Sequence, residues 1–297
     1  MKHLIVIGGP TASGKTKLAI QVAQHYGTEI ISADSRQFYR ELRIGNARPT
    51  EAELAAAPHH FIADRSVTEP LSAGRFAEEA LSRLKQVFQN KDVAVAVGGS
   101  GLYLRALCEG LDEFPPIIPE AQLAVAELEA HQGLAGLQRT LAELDPSYYA
   151  TVDRQNGRRL QRALRVCLTA GRPYSSFLGQ SAPRSFQSHY FMPATERAQL
   201  YANINERVRR MLAGGLEQEA RALHPLRELT PLQTVGYQEW WPYLAGEAGL
   251  EETVALIQRN SRRYAKRQLT WFRDYATVVD VAQIVKFMRN ISLTPKV

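Results

Sequence analysis

The hydrophobic pattern alternates between short apolar runs and longer stretches in which apolar positions recur every three or four residues. The clearest runs are residues 4–7 and Val93–Val97, and continuous runs of this length are typical of parallel strands buried on both faces. Residues 73–88 place Phe76 and Leu84 on one face of an amphipathic helix. Weaker strand signals lie at residues 29–32, 59–64, 189–192 and 277–281. The pattern predicts an α/β fold with a parallel sheet flanked by helices.

The middle of the chain follows a different pattern. The proline-rich segment 115–119 interrupts the α/β alternation, and residues 120–172 carry helical spacing with little strand signal. We therefore predict an all-helical insertion domain at residues 115–186, between two parts of an α/β core at residues 1–114 and 187–297. The leucines expected to form the core of the insertion are Leu123, Leu128, Leu134, Leu137, Leu141 and Leu144.

Composition narrows the class of protein. The 297 residues are 45% hydrophobic with mixed charge, which is typical of a globular chain and excludes a disordered one. Cys108 and Cys167 lie in apolar helical stretches and are expected to be buried thiols in a reducing compartment. No apolar run reaches membrane-spanning length, and the first residues resemble a strand rather than a secretory leader, so we predict a cytoplasmic protein. The net charge of +6 permits a polyanionic partner.

A phosphate-binding motif follows the first strand. The eight residues from Gly9 to Thr16 fit the pattern G-x-x-x-x-G-K-[ST], and helical spacing resumes directly after them. The uncapped amides of that helix, the Lys15 ammonium and the Thr16 hydroxyl suit phosphate oxygens and Mg²⁺. The motif predicts a P-loop NTPase-like core that binds ATP or another diphosphate. The predicted phosphate-binding residues are Gly9, Pro10, Thr11, Ala12, Ser13, Gly14, Lys15 and Thr16.

Asp34 follows the predicted strand 29–32, at the sheet edge where open α/β folds bind ligands. Two interpretations stay open, a carboxylate that faces the ligand and a helix N-cap. The strand Val93–Val97 ends in two glycines, where a Walker-type NTPase usually places an aspartate for Mg²⁺. This absence is evidence against a motor or an ordinary ATPase, and it makes Asp34 the candidate carboxylate of the crevice.

Two stretches concentrate basic residues. Arg158, Arg162 and Arg165 share one helical face with few acidic neighbours, a pattern that fits phosphate contact and a solvated face equally well. A second helix near the end of the sequence interleaves cations with aromatic residues, as nucleic-acid-binding surfaces do. Its cations are Arg259, Arg262, Arg263, Lys266, Arg267 and Arg273, and its aromatic residues are Tyr264, Trp271 and Phe272. We expect Trp271 and Phe272 to lie in the core.

Taken together, the motifs resemble the tRNA dimethylallyltransferase family, also called tRNA isopentenyltransferases. The matching stretches occur in the family's order and span nearly the whole chain. They are residues 8–16, residues 31–35 with Gln37 and Tyr39, and residues 98–104, 155–164, 235–237 and 264–273. The zinc-finger extension of eukaryotic members is absent from this sequence, which therefore resembles the bacterial form.

The resemblance implies transfer of a dimethylallyl group from dimethylallyl diphosphate to N6 of adenine 37, beside the tRNA anticodon. It implies that the P-loop binds the diphosphate with Mg²⁺, which Thr16 would ligate. It also implies that Thr11 contacts the bridging oxygen, that Arg207 clamps the diphosphate and that Asp34 is the general base. The residues implied to contact the anticodon stem-loop are Asp34, Ser35, Arg36, Gln37, Ser100, Arg158, Arg159, Leu160, Gln161, Arg162, Lys266 and Arg267. We expect a monomer.

This sequence departs from the family pattern at four positions. Ser100 replaces a common threonine and keeps the hydroxyl, whereas Arg36 stands where members often have methionine or another apolar residue. Asn203 and Gln122 each stand where many members have an arginine. The predicted diphosphate clamp therefore rests on Arg207 alone.

Two other functions are consistent with part of the sequence. A nucleotide or small-molecule kinase would use the same P-loop, with Asp34 as the base for an acceptor hydroxyl, but it leaves the basic helices unexplained. A nucleotide-gated RNA-binding module would explain the basic helices but gives Asp34 no role. Salt-sensitive tRNA binding separates the kinase from the other two functions.

Overall fold

A six-stranded parallel sheet forms the centre of the fold. The computed structural model describes residues 1–180 and 183–292, so positions 181, 182 and 293–297 of the predicted domains lie outside the described residues. The sheet order is β3-β2-β4-β1-β5-β6, and every neighbouring pair is parallel. The strands are β1 (Lys2–Ile7), β2 (Ile30–Ser32), β3 (His59–His60), β4 (Val93–Val97), β5 (Phe186–Pro193) and β6 (Thr277–Val279).

Twelve α-helices connect and cover these strands within the described residues. They are α1 (Lys15–Tyr26), α2 (Glu51–Ala56), α3 (Ala73–Asn90), α4 (Gly101–Cys108), α5 (Pro119–Leu144), α6 (Pro146–Thr151), α7 (Gly157–Ala170), α8 (Arg197–Ala213), α9 (Leu216–Leu223), α10 (Trp240–Leu244), α11 (Leu250–Arg273) and α12 (Val281–Ser292). Short 3₁₀ helices lie at Tyr174–Phe177, His224–Leu226 and Thr230–Leu232. Within the described ranges, no helix is both long and apolar enough to cross a membrane.

Strand β1 has a continuous apolar sequence because both of its faces are buried. Its residues Leu4, Ile5, Val6 and Ile7 are fully buried. Ile5 and Ile7 pack into a cluster with α1 and α12, whereas Leu4 and Val6 pack on the other face with α3 and α11. Helices on both faces leave no exposed side to the strand. The predicted α/β fold with a parallel sheet flanked by helices is confirmed.

Two predicted strands are shorter than expected. The run at residues 59–64 forms only the two-residue strand β3, because Phe61 and Ala63 adopt left-handed backbone angles, with φ of 65° and 50°, that a strand cannot contain. At the other edge, β6 stops at Val279 and α12 begins two residues later. Asp280 and Gln283 bond reciprocally through side chain and backbone at 2.8 Å, the arrangement of a capping box.

Contacts divide the chain into two compact units. One contains Met1–Cys108 with the described residues from Arg184 onward, and the other is Glu109–Pro183. The second unit is helical within its described residues, with α5, α6 and α7 around a core that includes Val125, Leu137 and Leu160. The predicted domain boundaries stay a prediction, as does the role of this unit in tRNA contact.

The predicted leucine core of the second unit is wrong at two positions. Leu123 is 63% exposed and Leu144 is 38% exposed. Leu123 lies two residues from both Ala121 and Val125, which are buried, and two residues correspond to about 200° around a helix. A break at Gly133, with φ of 58°, also interrupts α5, so one continuous helical spacing cannot describe this element.

Candidate active site

The phosphate-binding motif forms a turn between β1 and the start of α1. Gly14 occupies the N-cap position in a left-handed conformation, with φ of 85°, and no side chain caps the helix. Glycine adopts this angle without strain, and the first amides of α1 stay available to an anion. Ser13 Oγ and Lys15 Nζ both donate to the Pro10 carbonyl, at 2.9 and 3.1 Å, which fixes the shape of the turn.

A cavity of about 490 Å³ opens beside this turn. It brings together seven residues predicted from the sequence, which are Thr11, Gly14, Lys15, Thr16, Asp34, Gln37 and Arg207. Its wall also contains polar residues that were not predicted from the sequence, and these are Lys17, Ser32, Arg43, Asn46, Arg48, Thr50, Glu53, His59 and Arg210. The cavity therefore places a phosphate cradle and a carboxylate in one space.

Asp34 supplies that carboxylate from the end of β2. No helix begins there, since residues 35–38 form a turn, and the helix N-cap interpretation is wrong. Oδ1 of Asp34 accepts a hydrogen bond from the backbone amide of Arg36 at 3.2 Å, an Asx-type turn. Among the described residues, Oδ2 has no hydrogen-bond partner, so this oxygen is available to a ligand in the cavity.

Arg207 reaches the cavity from α8. Its Nη1 donates to Thr11 Oγ1 at 3.0 Å, which joins the two residues implied to contact the diphosphate. Burial lowers the pKa of Arg207, and the nearby Arg36 guanidinium lowers it further, but an arginine stays charged at neutral pH. From the same helix, Asn203 Nδ2 donates to the Ala12 carbonyl at 3.3 Å, so the residue that replaces a family arginine contacts the P-loop backbone.

Lys15 has a perturbed acidity. Burial lowers its pKa to about 8, Asp34 opposes this shift, and the Arg207 and Arg36 guanidiniums add to it. Four charged groups therefore act on one another around the cavity, and three of them are cations. A site with this excess of positive charge is suited to a multiply charged anion.

Gln268 supports the P-loop from behind, and the sequence analysis gave it no role. The Gln268 side chain forms two hydrogen bonds: the Thr11 amide donates to its Oε1 at 2.9 Å, and its Nε2 donates to the Gly99 carbonyl at 2.8 Å. The position of Gln268 in the sequence could have indicated this role. Gln268 lies three residues after Ala265 and four before Phe272, on the apolar face of α11, where a buried polar side chain requires partners.

Glu219 is a second residue that the sequence analysis missed. Its carboxylate accepts hydrogen bonds at 3.0 Å from the successive amides of residues 43–45, and Tyr237 donates to it at 2.6 Å. Successive amides that converge on one anion form a nest. Glu219 therefore holds the loop that carries Arg43 and Arg48 into the cavity wall.

The residues nominated for tRNA contact lie in several places. Ser35 and Ser100 join through their hydroxyls at 3.1 Å, and Lys266 and Arg267 are exposed on α11. On α7 of the other unit, the nominated side chains differ in exposure. Arg158, Arg159 and Arg162 are exposed, and Leu160 is fully buried. The Gln161 amide donates a hydrogen bond to Glu129 at 2.7 Å. Any RNA contact of Leu160 is limited to its backbone.

Mg²⁺ fits the donor chemistry of the cavity. The described residues contain no group of three or more His, Cys, Asp or Glu side chains that could hold a metal ion by themselves. Mg²⁺ usually binds through one or two protein oxygens together with substrate phosphates and waters. The Thr16 hydroxyl, which lines the cavity, is the protein oxygen that suits this mode.

Comparison with known proteins identifies the family. The sequence model described as IPP transferase matches residues 37–275. The chain is 49% identical over 272 residues to the tRNA dimethylallyltransferase of Christiangramia forsetii, covering 91% of this chain and 90% of that protein. The Flavobacterium johnsoniae tRNA dimethylallyltransferase is 42% identical over 292 residues, covering 93% and 94% of the two chains.

Solved structures give the same result. The tRNA isopentenylpyrophosphate transferase from Bacillus halodurans superposes with a TM-score of 0.70 at 33% identity, covering 98% of this chain and 95% of that one. A eukaryotic dimethylallyltransferase acting on tRNA shares the fold with a TM-score of 0.81 at 24% identity, covering 98% and 77%. The matches in sequence and in structure cover nearly the whole chain, and on this evidence the chain belongs to the tRNA dimethylallyltransferase (IPP transferase) family.

Proposed function

We propose that this protein transfers a dimethylallyl group from dimethylallyl diphosphate to N6 of adenine 37 in tRNA. Dimethylallyl transfer to tRNA is the activity of the family, and the donor, the adenine and the residue roles are the proposal. One observation carries it. A phosphate cradle made of Lys15, Thr16 and the Thr11–Arg207 pair lines the same cavity as Asp34.

The cradle would hold the leaving group. The amides at the start of α1, the Lys15 ammonium and the Arg207 guanidinium are positive groups that stabilise charge as it develops on the diphosphate. As the family resemblance implies, Thr11 would contact the bridging oxygen, and its hydroxyl accepts a hydrogen bond from Arg207 at 3.0 Å. Mg²⁺, bound by Thr16 and the diphosphate oxygens, would supply further positive charge to the leaving group.

Asp34 would act as the general base. In the transfer, a bond forms between N6 and the allylic carbon while the bond from that carbon to the diphosphate oxygen breaks. The proton that N6 releases passes to Oδ2 of Asp34, and the electron pair of the broken bond leaves with the diphosphate. An exocyclic amine is a weak nucleophile, so a positioned base accelerates its attack. The same negative carboxylate favours positive charge on the allylic carbon.

The adenine must leave its stack to reach the cavity, as in other enzymes that modify bases. Ser35, Gln37 and Ser100 would seat it. The Gln37 amide nitrogen already donates to the Ala47 carbonyl at 3.1 Å, which leaves its carbonyl oxygen for the N6 amino group. The exposed cations proposed to bind the tRNA backbone are Arg158, Arg159, Arg162, Lys266 and Arg267. Gln161 and the backbone of Leu160 are proposed to contact it as well.

The test is a transfer assay with unmodified tRNA, Mg²⁺ and labelled dimethylallyl diphosphate, beside a parallel reaction with labelled ATP and kinase acceptors. We expect label in tRNA, and mass spectrometry of nuclease digests should find it at adenine 37. A tRNA with guanine at position 37 is the matched control and should accept none. Phosphate transfer from ATP, with no label entering tRNA, would overturn the proposal in favour of a kinase.

A further inference from the structure

Arg36 is held in the site more firmly than a surface arginine. Its Nη1 donates to the Val235 carbonyl at 2.9 Å, and its guanidinium lies 5.2 Å from the centre of the Tyr264 ring. The backbone of Arg36 is fixed as well, since its amide bonds Asp34 and its carbonyl accepts from Asn46 Nδ2 at 3.0 Å. These contacts leave the side chain little freedom to reach outward.

The turn that anchors Arg36 is itself rigid. The Gly236 amide donates to Glu239 at 2.8 Å, and the Tyr237 hydroxyl donates to Glu219 at 2.6 Å. Glu239 is only 3% exposed and also accepts from Asn260. Two carboxylates therefore position the Val235 carbonyl, which in turn positions the Arg36 guanidinium.

One donor of this guanidinium has no acceptor. Arg36 Nε is buried and lacks a hydrogen-bond partner among the described residues. Beside it is a cavity of about 30 Å³, lined by Arg36, Thr11, Arg207 and Tyr264 among others. This volume holds about one water molecule or one oxygen atom of a ligand. A buried charged donor without an acceptor is costly, and an oxygen in this cavity would remove that cost.

The charges point to an anion. Arg36 and Arg207 line the small cavity, Arg207 and Lys15 line the large one, and Arg36 lowers the pKa of Arg207, so these cations repel one another. The carboxylates that oppose them are Asp34 and, for Arg207, Glu53. A multiply charged oxyanion would relieve the repulsion between the cations and supply the missing acceptor.

We propose that Arg36 binds the diphosphate leaving group as a third cation beside Lys15 and Arg207, rather than contacting tRNA. This inference rests on the proposed function. A tRNA phosphate offers the same chemistry, but the small cavity adjoins Thr11 and Arg207, the pair assigned to the diphosphate. A methionine at this position, as many family members have, would leave that cavity without its cation.

The test compares Arg36→Met and Arg36→Lys with the wild-type chain in two binding assays. Calorimetry measures the Kd for inorganic pyrophosphate with Mg²⁺, and filter binding measures the Kd for tRNA. The loss of a charge-assisted contact should weaken pyrophosphate binding by Arg36→Met about ten- to hundredfold. Arg36→Lys keeps the charge and should fall between. Binding of tRNA should change by less than about threefold in both variants.

Arg40→Met is the matched control. Arg40 is exposed and donates to the Asp64 carbonyl, so its loss should leave pyrophosphate affinity within about twofold of wild type. Wild-type pyrophosphate affinity in Arg36→Met would overturn the inference, and weakened tRNA binding in that variant would return Arg36 to the tRNA surface. If Arg36→Met does not fold, as circular dichroism would show, Arg36→Lys decides in the same way.

The wild-type chain separates this inference from the proposed function. If wild type neither binds pyrophosphate nor transfers the dimethylallyl label, the proposed function has failed. If it does both and the Arg36 variants match it, only the role of Arg36 has failed.

Discussion

The candidate site contains one carboxylate, Asp34, together with several cations. Asp34 lines the same cavity as Lys15 and Arg207. Because Asp34 raises and Arg207 lowers the pKa of Lys15, a substitution of Asp34 or Arg207 also changes the charge state of Lys15. Substitutions at this scale therefore need readouts that separate proton transfer from anion binding.

Removal of the proposed base should slow transfer strongly and leave tRNA binding intact. We expect Asp34→Asn to lower kcat by a factor of about 10²–10⁴, the usual contribution of general acid–base catalysis. The Kd for tRNA, measured by filter binding, should stay within about threefold of wild type. Asp92→Asn is the control, since Asp92 is an exposed carboxylate paired with Lys2. Full activity in Asp34→Asn would rule out Asp34 as the base.

Binding of the diphosphate should weaken as the pH rises through about 8, the pKa of Lys15. Below this pH the lysine is a cation and attracts phosphate oxygens, and above it the charge is lost. Calorimetric titration with Mg²⁺ and pyrophosphate between pH 7 and 9.5 would show the effect. Lys15→Arg keeps its charge over this range, so its profile should lack the decline. A decline that persists unchanged in Lys15→Arg would assign the titration to another group.

At the scale of elements, α11 supports the P-loop through Gln268. Its amide bridges the Thr11 amide and the Gly99 carbonyl, so one side chain ties α11 to the ends of β1 and β4. The sequence places Gln268 inside a motif that suggests nucleic-acid contact, and the structure adds a second role on the opposite face of the helix. The exposed cations and the buried glutamine thus belong to one element.

Gln268→Ala should leave two backbone groups without partners. We expect a loss of about 1–3 kcal/mol in the free energy of unfolding for this substitution, measured by urea denaturation. The value of kcat/KM for the diphosphate should fall as well, because Thr11 is no longer fixed. Thr270→Ala, at an exposed site on the same helix, should change stability by less than about 0.5 kcal/mol. Equal stability of the two variants would contradict the supporting role.

The end of β4 tolerates no side chain at Gly98. A Cβ there would lie 2.3 Å from the backbone oxygen of Ala33, so the two strand ends must separate. Overpacking of this kind destabilises by about 1–3 kcal/mol, and we expect Gly98→Ala to lower the melting temperature accordingly. Gly74→Ala is the control, since nothing lies near its Cβ within α3 and alanine favours a helix by up to about 1 kcal/mol.

The sequence predicted elements well where the cause is local. The strand Val93–Val97 was predicted with its observed bounds, because a run of valine and alanine buried on both faces ends at two glycines. The strand at residues 59–64 was predicted too long, since no residue type there signals the left-handed angles of Phe61 and Ala63. Local pattern does not report which turn the surrounding fold imposes.

Prediction of the site had a similar limit. The P-loop and Asp34 could be identified because motif spacing and strand ends put them at one edge of the sheet. The support from Glu219 could not, because its partners at residues 43–45 lie about 175 positions away along the chain. Arg36 was assigned to tRNA from its place in a motif, whereas its contacts with Val235 and Tyr264 became visible only in three dimensions.

At the scale of the whole molecule, the charge is distributed over both compact units. The chain carries a net charge of +6, with exposed cations on α7 of one unit and on α11 of the other. Within the described residues, Arg158 and Arg162 form no ion pair, and Arg162 instead lies 5.1 Å from the centre of the Phe114 ring. Unneutralised arginines of this kind suit a phosphate backbone.

Neutralising these arginines should reduce the salt dependence of tRNA binding. Each lost phosphate contact removes about 0.7–0.9 from the slope of log K against log salt. We expect Arg158→Gln with Arg162→Gln to lower the slope by about 1.5 and to leave pyrophosphate affinity unchanged. The control is Arg75→Gln with Arg221→Gln, since both arginines pair with glutamates on their own helices. An unaltered slope in the first pair would exclude α7 from the tRNA surface.

The position of β1 in the sheet has a consequence for how the chain matures. This strand precedes both of its neighbours, β4 and β5, in the chain, and Lys2 pairs with Phe186. During synthesis, one edge of β1 therefore stays unpaired until β5 (Phe186–Pro193) has emerged from the ribosome, whereas the unit Glu109–Pro183 is continuous in sequence and can fold earlier. A chain released before β5 would expose that edge to other nascent chains, which makes premature termination in this gene a source of aggregates rather than of partially active enzyme.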